Sequence, residues 1–458
     1  MKGLADMDAE ARTTQTGHPR VVIVGAGFGG LQAALDIGKQ QPEVNLTVID
    51  RTNHHLFQPL LYQVATAALS PADISTPIRH VLRKQKRTEV VMAEVTDVDL
   101  EQKRVIMHDV SIPYDYLVIA TGAHENYFGH RESWEPIAPG LKSIEDAQQI
   151  RRKILLTFEQ AELEMDTEQR KRLLTFMVIG GGPTGVEMAG AIAELAYQTL
   201  PPEYRHIDPG MIRVILVEAM PRILSTFPKS LARRARKKLE RLGVDVRTST
   251  LLEEITEEGA VAGGQWMPAN TIIWTAGVQA SPAGQWLGAE TDRAGRVLVN
   301  PDLTLPNHSD VFVLGDTATI MQDNKPLPGI APVAMQQGHY VAVVIKQKIA
   351  GEQTSEPFHY HDKGYLATVG RAYAIASIGR IRISGFSAWI LWLAVHIVYL
   401  IGYDNRIMVL LQWAWSYIFL KRRVRIIAPS TRDNPVPDPA HNNMPAAEKT
   451  EVSTIPGQ

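Results

Sequence analysis

The chain of 458 residues contains no cysteine. This absence excludes a disulfide framework, a cysteine nucleophile, thiolate metal ligands and a redox-active dithiol pair. A strong net charge is also lacking: the formal value is −2, so the chain as a whole does not favour nucleic acid or an acidic partner. Residues 1–19 have no long apolar run, which argues against a secretory signal and predicts a disordered leader. Residues 429–458, rich in Pro, Asn, Asp and Thr, predict a disordered tail.

A glycine-rich segment follows the leader. Residues 20–24 form a short β-branched run, and the sequence GAGFGG (residues 25–30) comes directly after it. Residues 31–40 then have a helical pattern, and a second β-branched run at residues 46–49 ends in Asp50. The order strand, glycine turn, helix, strand and acid is that of a dinucleotide-binding βαβ unit.

The same arrangement occurs a second time. Residues 176–179 predict a strand, and the sequence GGGPTG (residues 180–185) follows it. After a predicted helix, residues 214–217 predict a strand that leads into Glu218. Two such fingerprints, each in a βαβ context, are stronger evidence for dinucleotide binding than one glycine motif alone.

The closing turns of the two units have the same spacing. Gly122 follows Gly25 by 97 positions (122 − 25), and Gly277 follows Gly180 by 97 positions (277 − 180). The acid comes 25 positions after the first glycine in the first unit (50 − 25) and 38 positions after it in the second (218 − 180), and residues 197–210 are the predicted insertion. A repeat of this size predicts two similar α/β domains in one chain.

The residue types in these turns suit a dinucleotide. The first glycine makes the tight turn, the second lets the backbone approach a pyrophosphate, and the third lets helix and strand pack closely. The helix N-terminus offers N–H groups to the phosphates, and the acid accepts hydrogen bonds from ribose hydroxyls. A carboxylate at Glu218 repels a 2′-phosphate and so favours NADH over NADPH, an inference that nearby Arg222 weakens. The alternative, that the glycines serve packing alone, is disfavoured by the two copies.

The C-terminal part contains two apolar runs, residues 386–402 and 407–420, separated by a polar turn. At about 1.5 Å per helical residue they reach roughly 25 Å and 21 Å, less than the hydrocarbon core of about 30 Å. They are rich in tryptophan, and a basic stretch at residues 421–425 follows them. We therefore expect helices that lie in a membrane interface, with a helical hairpin buried in a soluble dimer as the alternative.

Several segments carry a family resemblance. The tandem units, with a later Gly315-Asp316 pair, resemble the two-dinucleotide-binding-domain flavoproteins of glutathione-reductase-like fold, in which the N-terminal unit holds FAD and the second unit holds the nicotinamide cofactor. The segments NHHLFQPLLY (residues 53–62), GGGPTGVE (residues 180–187) and APVAMQQG (residues 331–338), with the apolar C-terminus, resemble the type II NADH:quinone oxidoreductases over about residues 20 to 427.

The resemblance implies an α/β fold with two Rossmann-like dinucleotide-binding domains and a C-terminal membrane-associated helical segment. It implies hydride transfer from NADH to FAD and electron transfer to a membrane quinone without proton pumping, by a homodimer on the cytoplasmic face of the inner membrane. The expected domains are a leader at 1–19, an FAD-binding domain at 20–127 and 281–350, an NADH-binding domain at 170–280, a C-terminal domain at 351–428 with membrane helices at 386–420, and a tail at 429–458.

The resemblance also implies the site residues. Those expected to bind FAD are Gly25, Gly27, Gly29, Gly30, Asp50, Arg51, Val95, Ala120, Thr121, Gly122, Gly315 and Asp316. Those expected to bind NADH are Gly180, Gly182, Pro183, Thr184, Gly185, Glu218, Ala276 and Gly277. Those expected to act in catalysis are Glu187, Gln336 and Gln337.

Some assignments have open alternatives. Asp316 would hold a ribityl hydroxyl, act as a helix N-cap, or both. Glu187 would supply a proton for quinol formation or pair with the N-terminus of its helix. Many relatives have a further glutamine where this chain has Pro332, so quinone contacts there are open. The spacings of His54, His55, His359 and His361 do not form a convincing metal site, and no metal is expected.

Other functional classes fit the sequence less well. A sulfide:quinone oxidoreductase has a similar fold but needs cysteines, as do the disulfide reductases with a redox dithiol. A soluble reductase of the ferredoxin-reductase kind would leave the apolar C-terminus unexplained. A NADH-binding flavoprotein with a signalling role, similar to the apoptosis-inducing-factor relatives, would turn over slowly with NADH, whereas rapid quinone-dependent oxidation of NADH would exclude it.

Overall fold

The computed structural model describes residues 17–40, 43–108, 110–352, 356–401, 406–411, 413 and 424–427. One compact unit extends to Arg425, and of the second unit, which follows it, only Ile426 and Ile427 are described. The predicted leader (apart from residues 17–19), the predicted tail and most of the second apolar run lie outside the described residues.

Helices and strands are numbered here in chain order. The elements of residues 20–125 are β1 (Arg20–Val24), α1 (Phe28–Gln40), β2 (Asn45–Asp50), β3 (His54–Leu56), α2 (Leu61–Ala65), β4 (Ser75–Pro77), α3 (Ile78–Leu82), β5 (Thr88–Met92), β6 (Asp97–Asp99), β7 (Arg104–Met107), β8 (Val110–Pro113), β9 (Tyr116–Ile119) and β10 (Ala123–Glu125). The elements of residues 131–280 are α4 (Arg131–Trp134), α5 (Ile144–Leu163), α6 (Thr167–Leu173), β11 (Thr175–Ile179), α7 (Pro183–Glu194), β12 (Arg213–Val217), α8 (Lys229–Arg241), β13 (Val244–Arg247), β14 (Leu252–Thr256), β15 (Gly259–Ala262), β16 (Gln265–Pro268), β17 (Thr271–Trp274) and β18 (Val278–Ala280). The elements of residues 283–399 are α9 (Ala283–Trp286), β19 (Val297–Leu298), β20 (Thr304–Leu305), β21 (His308–Val313), β22 (Ala318–Thr319), β23 (Met321–Gln322), β24 (Lys325–Pro326), α10 (Ala331–Ala350), β25 (Tyr365–Thr368), β26 (Ala374–Ile378), β27 (Ile381–Gly385) and α11 (Phe386–Tyr399).

The first sheet has the strand order β20-β21-β9-β1-β2-β5. Its strands run parallel except for β20, which pairs antiparallel with β21. On β1, Val21 and Ile23 pack in one core with α1 and α10, while Val22 and Val24 pack in another core with residues of β6 and β7. Because both faces of the sheet are covered, β1 is a continuous apolar run rather than an alternating one.

The second sheet has the order β13-β12-β11-β17, and its strands are all parallel. This order matches the β5-β2-β1-β9 part of the first sheet strand for strand, as the internal repeat predicts. The predicted insertion lies between α7 and β12, where a π-helical turn (Leu195–Thr199) and two short 3₁₀ turns (Pro201–Glu203 and Pro209–Met211) connect helix to strand. The predicted α/β fold class is confirmed, whereas the exact domain boundaries stay a prediction.

A smaller antiparallel sheet, β25-β26-β27, follows the two dinucleotide units. The helix α11 packs against all three of its strands, and α7 contacts β25. Since β25 belongs to the C-terminal part and α7 begins at the second glycine turn, this contact brings the C-terminal part to the second dinucleotide unit.

Candidate active site

The first glycine turn joins β1 to α1. Gly25 has φ +94°, and a Cβ added there would lie 2.4 Å from the Ala120 carbonyl oxygen. A Cβ on Gly30 would lie 1.9 Å from the Gly25 carbonyl oxygen, so this glycine permits the close approach of helix to strand. By contrast, a Cβ on Gly27 would meet nothing within 4 Å. The first and last glycines therefore serve the fold, and the middle one leaves space for a ligand.

The second glycine turn repeats this geometry between β11 and α7. Gly180 has φ +107°, and a Cβ there would lie 2.8 Å from the Ala276 nitrogen. A Cβ on Gly185 would lie 1.8 Å from the Gly180 carbonyl oxygen, and one on Gly182 would meet nothing within 4 Å. The three glycines therefore have the same geometry in both turns.

The two acids hold the turns in the same way. Asp50 accepts hydrogen bonds from the backbone N–H groups of Ala26 and Thr52, both at 2.7 Å. Glu218 accepts from the N–H groups of Gly181 at 2.6 Å and Met220 at 2.7 Å. Each carboxylate is therefore fixed beside its glycine turn with lone pairs left over, because two carboxylate oxygens can accept about four hydrogen bonds.

Arg222 does not contact Glu218 in the described structure. Its guanidinium donates instead to the backbone carbonyl oxygens of Phe227, at 2.8 Å, and Ser225. Because the Arg222 guanidinium is bound to these carbonyl oxygens, Arg222 is a weaker argument against the preference for NADH that Glu218 predicts.

Two distant motifs meet beside the first turn. Gly122 donates its N–H to the Thr317 hydroxyl at 2.8 Å, and the Thr121 hydroxyl lies 2.5 Å from that of Ser281. The TG turn after β9 and the segment that begins at Gly315 are thereby joined. The sequence did not single out Thr317 or Ser281, although Thr317 directly follows the predicted Gly315-Asp316 pair and Ser281 is the first residue of the second segment expected for the FAD-binding domain. Val95, Ala120 and Gly29 are buried in this unit, and Arg51 is exposed.

The N-cap alternative for Asp316 is wrong. This residue lies in a 3₁₀ turn, Gly315–Thr317, whose N-cap is Leu314, and α10 begins much later with Ile330 as its N-cap. A Cβ on Gly329 would lie 3.0 Å from Asp316 Oδ1, so the loop before α10 packs closely on this carboxylate.

His55 was missed as a neighbour of the first turn. It is buried, its Nδ1 lies 2.9 Å from the Ala26 carbonyl oxygen, and its Nε2 is buried with no hydrogen-bond partner among the described residues. Burial lowers the pKa of this imidazole, so it is neutral at physiological pH. A buried polar atom without a partner, next to the open space at Gly27, fits a polar ligand such as FAD in this turn.

Glu187 lies five residues into α7. Its Oε1 accepts a hydrogen bond from the Thr368 backbone N–H at 3.2 Å. Burial raises the pKa of Glu187 to about 8, despite this bond, which lowers it. The alternative of pairing with the helix N-terminus is therefore wrong, since the carboxyl lies past the first turn, contacts β25 and is largely uncharged at neutral pH.

The two glutamines of α10 face different surroundings. Gln337 is buried and accepts the Gly315 N–H at 2.7 Å, so it holds the turn that carries Asp316. Gln336 instead exchanges hydrogen bonds with the backbone of His361, at 3.0 Å each. It lies with Pro332 in a cleft of about 440 Å³. The further lining of that cleft comes from α1, α10, the segment before β25 and α11: Gln32, Met335, His339, Tyr340, Val343, Phe358, His359, His361, Lys363 and Tyr399.

The histidines weighed as metal ligands have other contacts. The rings of His359 and His361 lie 5.2 Å apart beside the cleft, and His54 contacts the Asn53 side chain. In the described ranges, no group of three or more His, Cys, Asp or Glu side chains is arranged to hold a metal ion.

The C-terminal helix α11 has one buried and one exposed face. Trp389 and Trp392 are buried, whereas Phe386, Ile390 and Val398 are 46–64% exposed. Residues 406–411 are also helical, with further exposed apolar side chains. No helix within the part of the chain that the structure describes is long and apolar enough to cross a membrane.

The fold and the paired turns define a protein with two dinucleotide-binding units. A family profile described as pyridine nucleotide-disulphide oxidoreductase matches residues 19–338. The chain is 44% identical to the type II NADH:quinone oxidoreductase Ndh of Mycobacterium tuberculosis over 418 residues, which are 88% of this chain and 89% of that protein. It is 42% identical to NdhA of the same organism over 419 residues, 88% of each.

A solved structure has the same fold. NDH2 from Plasmodium falciparum in complex with NADH superposes with a TM-score of 0.80 at 22% identity, over 89% of this chain and 99% of that one. The chain belongs to the pyridine nucleotide-disulphide oxidoreductase family and, within it, to the type II NADH:quinone oxidoreductases. The predicted family is confirmed, and with it the expected FAD-dependent enzyme class that uses NADH.

Proposed function

We propose that this chain oxidises NADH at bound FAD and passes two electrons to a membrane quinone, without pumping protons. The observation that carries the proposal is the pair of glycine turns, each with an open middle glycine and an acid fixed beside it. One chain with two such turns has room for two dinucleotides. The lack of cysteine removes the dithiol chemistry from which the wider family takes its name.

The first turn is proposed to hold FAD. Gly27 leaves the pyrophosphate its space, Asp50 takes the ribose, and Asp316 takes a ribityl hydroxyl. Bound FAD supplies the hydride acceptor and two-electron carrier. The remaining proposed FAD contacts are Gly25, Gly29, Gly30, Arg51, Val95, Ala120, Thr121, Gly122 and Gly315.

The second turn is proposed to bind NADH. Gly182 offers the open approach and Glu218 accepts the ribose hydroxyls, where its charge rejects a 2′-phosphate. The N-terminal turn of α7 supplies N–H groups for the phosphates, although Pro183 has none. The other proposed NADH contacts are Gly180, Pro183, Thr184, Gly185, Ala276 and Gly277.

Glu187 is proposed to supply a proton to the quinone. Reduction of a quinone to a quinol takes up two protons as well as two electrons, so a protonated acid nearby is required or a water chain must replace it. With a pKa of about 8, the Glu187 carboxyl holds its proton at neutral pH. Gln337 would act indirectly, by fixing the Gly315 turn.

The cleft that contains Gln336 is proposed as the way in for the quinone. Its lining includes Tyr399 at the end of α11, and the same helix carries the exposed side chains of Phe386, Ile390 and Val398. An apolar, tryptophan-bearing helix of this kind suits a membrane interface. Attachment to the cytoplasmic face of the inner membrane and a homodimeric state complete the proposal, both by analogy with the family.

The first test is steady-state oxidation of NADH and NADPH by the purified, FAD-loaded protein, with and without a short-chain quinone. We expect fast NADH oxidation that depends on quinone, and much slower oxidation of NADPH. Turnover that is indifferent to quinone would contradict the proposal. Recovery of the protein wholly in the soluble fraction at physiological salt would contradict the membrane attachment.

A further inference from the structure

The helix α8 carries a row of basic side chains on its outer face. Its inner face is formed by the buried residues Leu231, Ala232, Ala235 and Leu239. The exposed basic residues of the helix are Lys229, Arg233, Arg234, Lys237 and Arg241. All of these except Arg234 follow one another at intervals of four residues, a spacing that places side chains on one side of a helix. These four residues are called the basic row below.

The basic row has no acidic partners. Glu240 is the only acid of α8, and it pairs with Arg236 at 2.7 Å. No side chain of the basic row forms a hydrogen bond or an ion pair with any residue that the structure describes. Like charges four residues apart destabilise a helix, and basic groups near its N-terminus oppose its dipole. The row therefore has an electrostatic cost, which an anionic surface in contact with it would offset.

The helix α8 lies against the strands that lead into α11. Arg234 donates to the Ser384 hydroxyl at 2.9 Å, and the Lys238 ammonium lies 5.7 Å from the centroid of the Tyr373 ring. The strand β27 ends at Gly385, which is the N-cap of α11. A basic helix of the second dinucleotide unit is therefore next to the start of the apolar C-terminal helix.

The hairpin of β26 and β27 combines basic and apolar side chains. Arg380, Ile381 and Arg382 are exposed at its tip. Ile381 is 63% exposed, and Phe386, which begins α11, is 62% exposed. At a bilayer, apolar side chains enter the boundary between headgroups and acyl chains, while long cationic side chains reach the headgroups. A nucleic acid or an acidic protein would match the charges but would not explain the exposed Ile381 and Phe386.

We propose that α8 and the β26–β27 hairpin form a second membrane contact, which recognises anionic lipid headgroups. The inference rests on the membrane attachment in the proposed function. It adds that attachment is selective for lipid charge, and that this charge is recognised outside the apolar C-terminal helices. Because α8 belongs to the second dinucleotide unit, the contact also orients that unit against the bilayer.

Vesicle flotation separates the charged contact from the apolar one. The full-length, FAD-loaded protein would be mixed with vesicles of phosphatidylcholine alone, or of phosphatidylcholine with phosphatidylglycerol, at low and at high salt. We expect the wild type to bind both compositions, and to bind the anionic vesicles more tightly at low salt. High salt should remove this difference, because it screens exposed charges and leaves the apolar contact in place.

The deciding variant is the double substitution Arg233→Gln, Lys237→Gln. Each basic side chain near an anionic bilayer strengthens binding about fivefold, so this variant should bind the anionic vesicles roughly 25-fold more weakly than the wild type. Its binding to phosphatidylcholine should be unchanged. Glutamine retains helix propensity and removes the repulsion between neighbours, so the variant should fold with full flavin content.

The matched control is Arg293→Gln, Lys325→Gln, which removes one arginine and one lysine elsewhere. Both side chains are exposed, and neither has a side-chain partner within the described part of the chain. They lie before β19 and on β24, outside both the second dinucleotide unit and the β26–β27 hairpin. The control should bind anionic vesicles as tightly as the wild type. Equal losses in the two double variants would show that net charge alone matters, and would overturn the inference.

The apolar part of the surface has its own variant, Ile381→Ser. It should weaken binding to both vesicle compositions by the same factor, because the apolar area that it removes does not depend on lipid charge. Unchanged binding to both compositions would show that the hairpin tip does not touch the bilayer, against the inference.

The same measurements separate this inference from the proposed function. A wild type that binds both compositions equally tightly would overturn the recognition of lipid charge and leave the membrane attachment intact. A wild type that binds neither would contradict both. If an acidic protein or a nucleic acid were the partner of α8, Arg233→Gln, Lys237→Gln would bind anionic vesicles as the wild type does, which would also overturn the inference.

Discussion

The start of α1, after the first glycine turn, is covered by α10, whereas the start of α7, after the second turn, is exposed. A Cβ on Gly29 would lie 2.3 Å from the Leu314 side chain, and one on Gly338 of α10 would lie 2.3 Å from the Gly29 carbonyl oxygen. At the second turn, Pro183 and Thr184 are exposed. The start of the helix is therefore covered in one unit and exposed in the other, although the middle glycine of each turn meets nothing within 4 Å. A covered helix start suits a cofactor that stays, and an exposed one suits a substrate that enters and leaves.

The largest effect is expected from breaking each turn separately. Gly30→Val forces a side chain onto the Gly25 carbonyl oxygen, which a Cβ alone would already meet at 1.9 Å. Gly185→Val does the same at the Gly180 carbonyl oxygen, at 1.8 Å. Each should cost about 1–3 kcal/mol or more of stability through overpacking. Gly30→Val should yield protein with little FAD, measured by flavin absorbance, whereas Gly185→Val should keep FAD and lose oxidation of NADH.

The matched controls are Gly27→Ala and Gly182→Ala, where a Cβ meets nothing within 4 Å. Both variants should leave the fold intact, as measured by thermal unfolding. Each should weaken only the binding of the dinucleotide in its own unit. Loss of FAD in Gly185→Val with an otherwise folded protein would contradict the separation of roles between the two turns.

A second difference lies one turn further into each helix. Position 187 is seven residues after Gly180, and the equivalent place after Gly25 is Gln32, whose amide donates to Asp36 at 2.8 Å. The second unit thus has a half-buried acid where the first has an amide. The substitution Glu187→Gln gives the second unit the same side chain that the first unit has at the equivalent position. It should lower quinone reduction by about 100-fold or more, as removal of a general acid does, with NADH binding unchanged.

The pH dependence of stability checks the same variant. The folded protein holds the Glu187 proton up to about pH 8, while the unfolded chain releases it near the ordinary value of 4.5. The unfolded state therefore binds fewer protons between these values, so stability falls as pH rises from about 4.5 to about 8. Glu187→Gln should remove this slope in thermal unfolding scans. A wild type and variant with parallel pH profiles would show that burial does not raise this pKa.

The difference between near and distant contacts also explains how far the sequence could predict the site. The glycine turns and their acids were predictable because each is a local motif with a fixed stereochemical reason. The partner of Glu187 was not, since Thr368 lies 181 positions away and has no motif of its own. Gln336 and Gln337 were predicted as a pair, but successive residues of a helix point about 100° apart, so one lines a cleft and the other holds the Gly315 turn.

The smallest effect is expected from the acids, where the two units are most alike. Glu218→Gln retains the shape of the side chain but replaces one acceptor oxygen with a donor, which cannot accept from the N–H groups of Gly181 and Met220 together. It should raise the KM for NADH by about tenfold and reduce the preference over NADPH, because a hydrogen bond to a charged group contributes about 1.5–3 kcal/mol. Asp50→Asn, the counterpart in the covered unit, should instead lower FAD retention and leave the KM for NADH unchanged. A higher KM in Asp50→Asn but not in Glu218→Gln would contradict this assignment. NADH would then bind at the first glycine turn rather than at the second, and the exposure of a helix start would not indicate which dinucleotide exchanges.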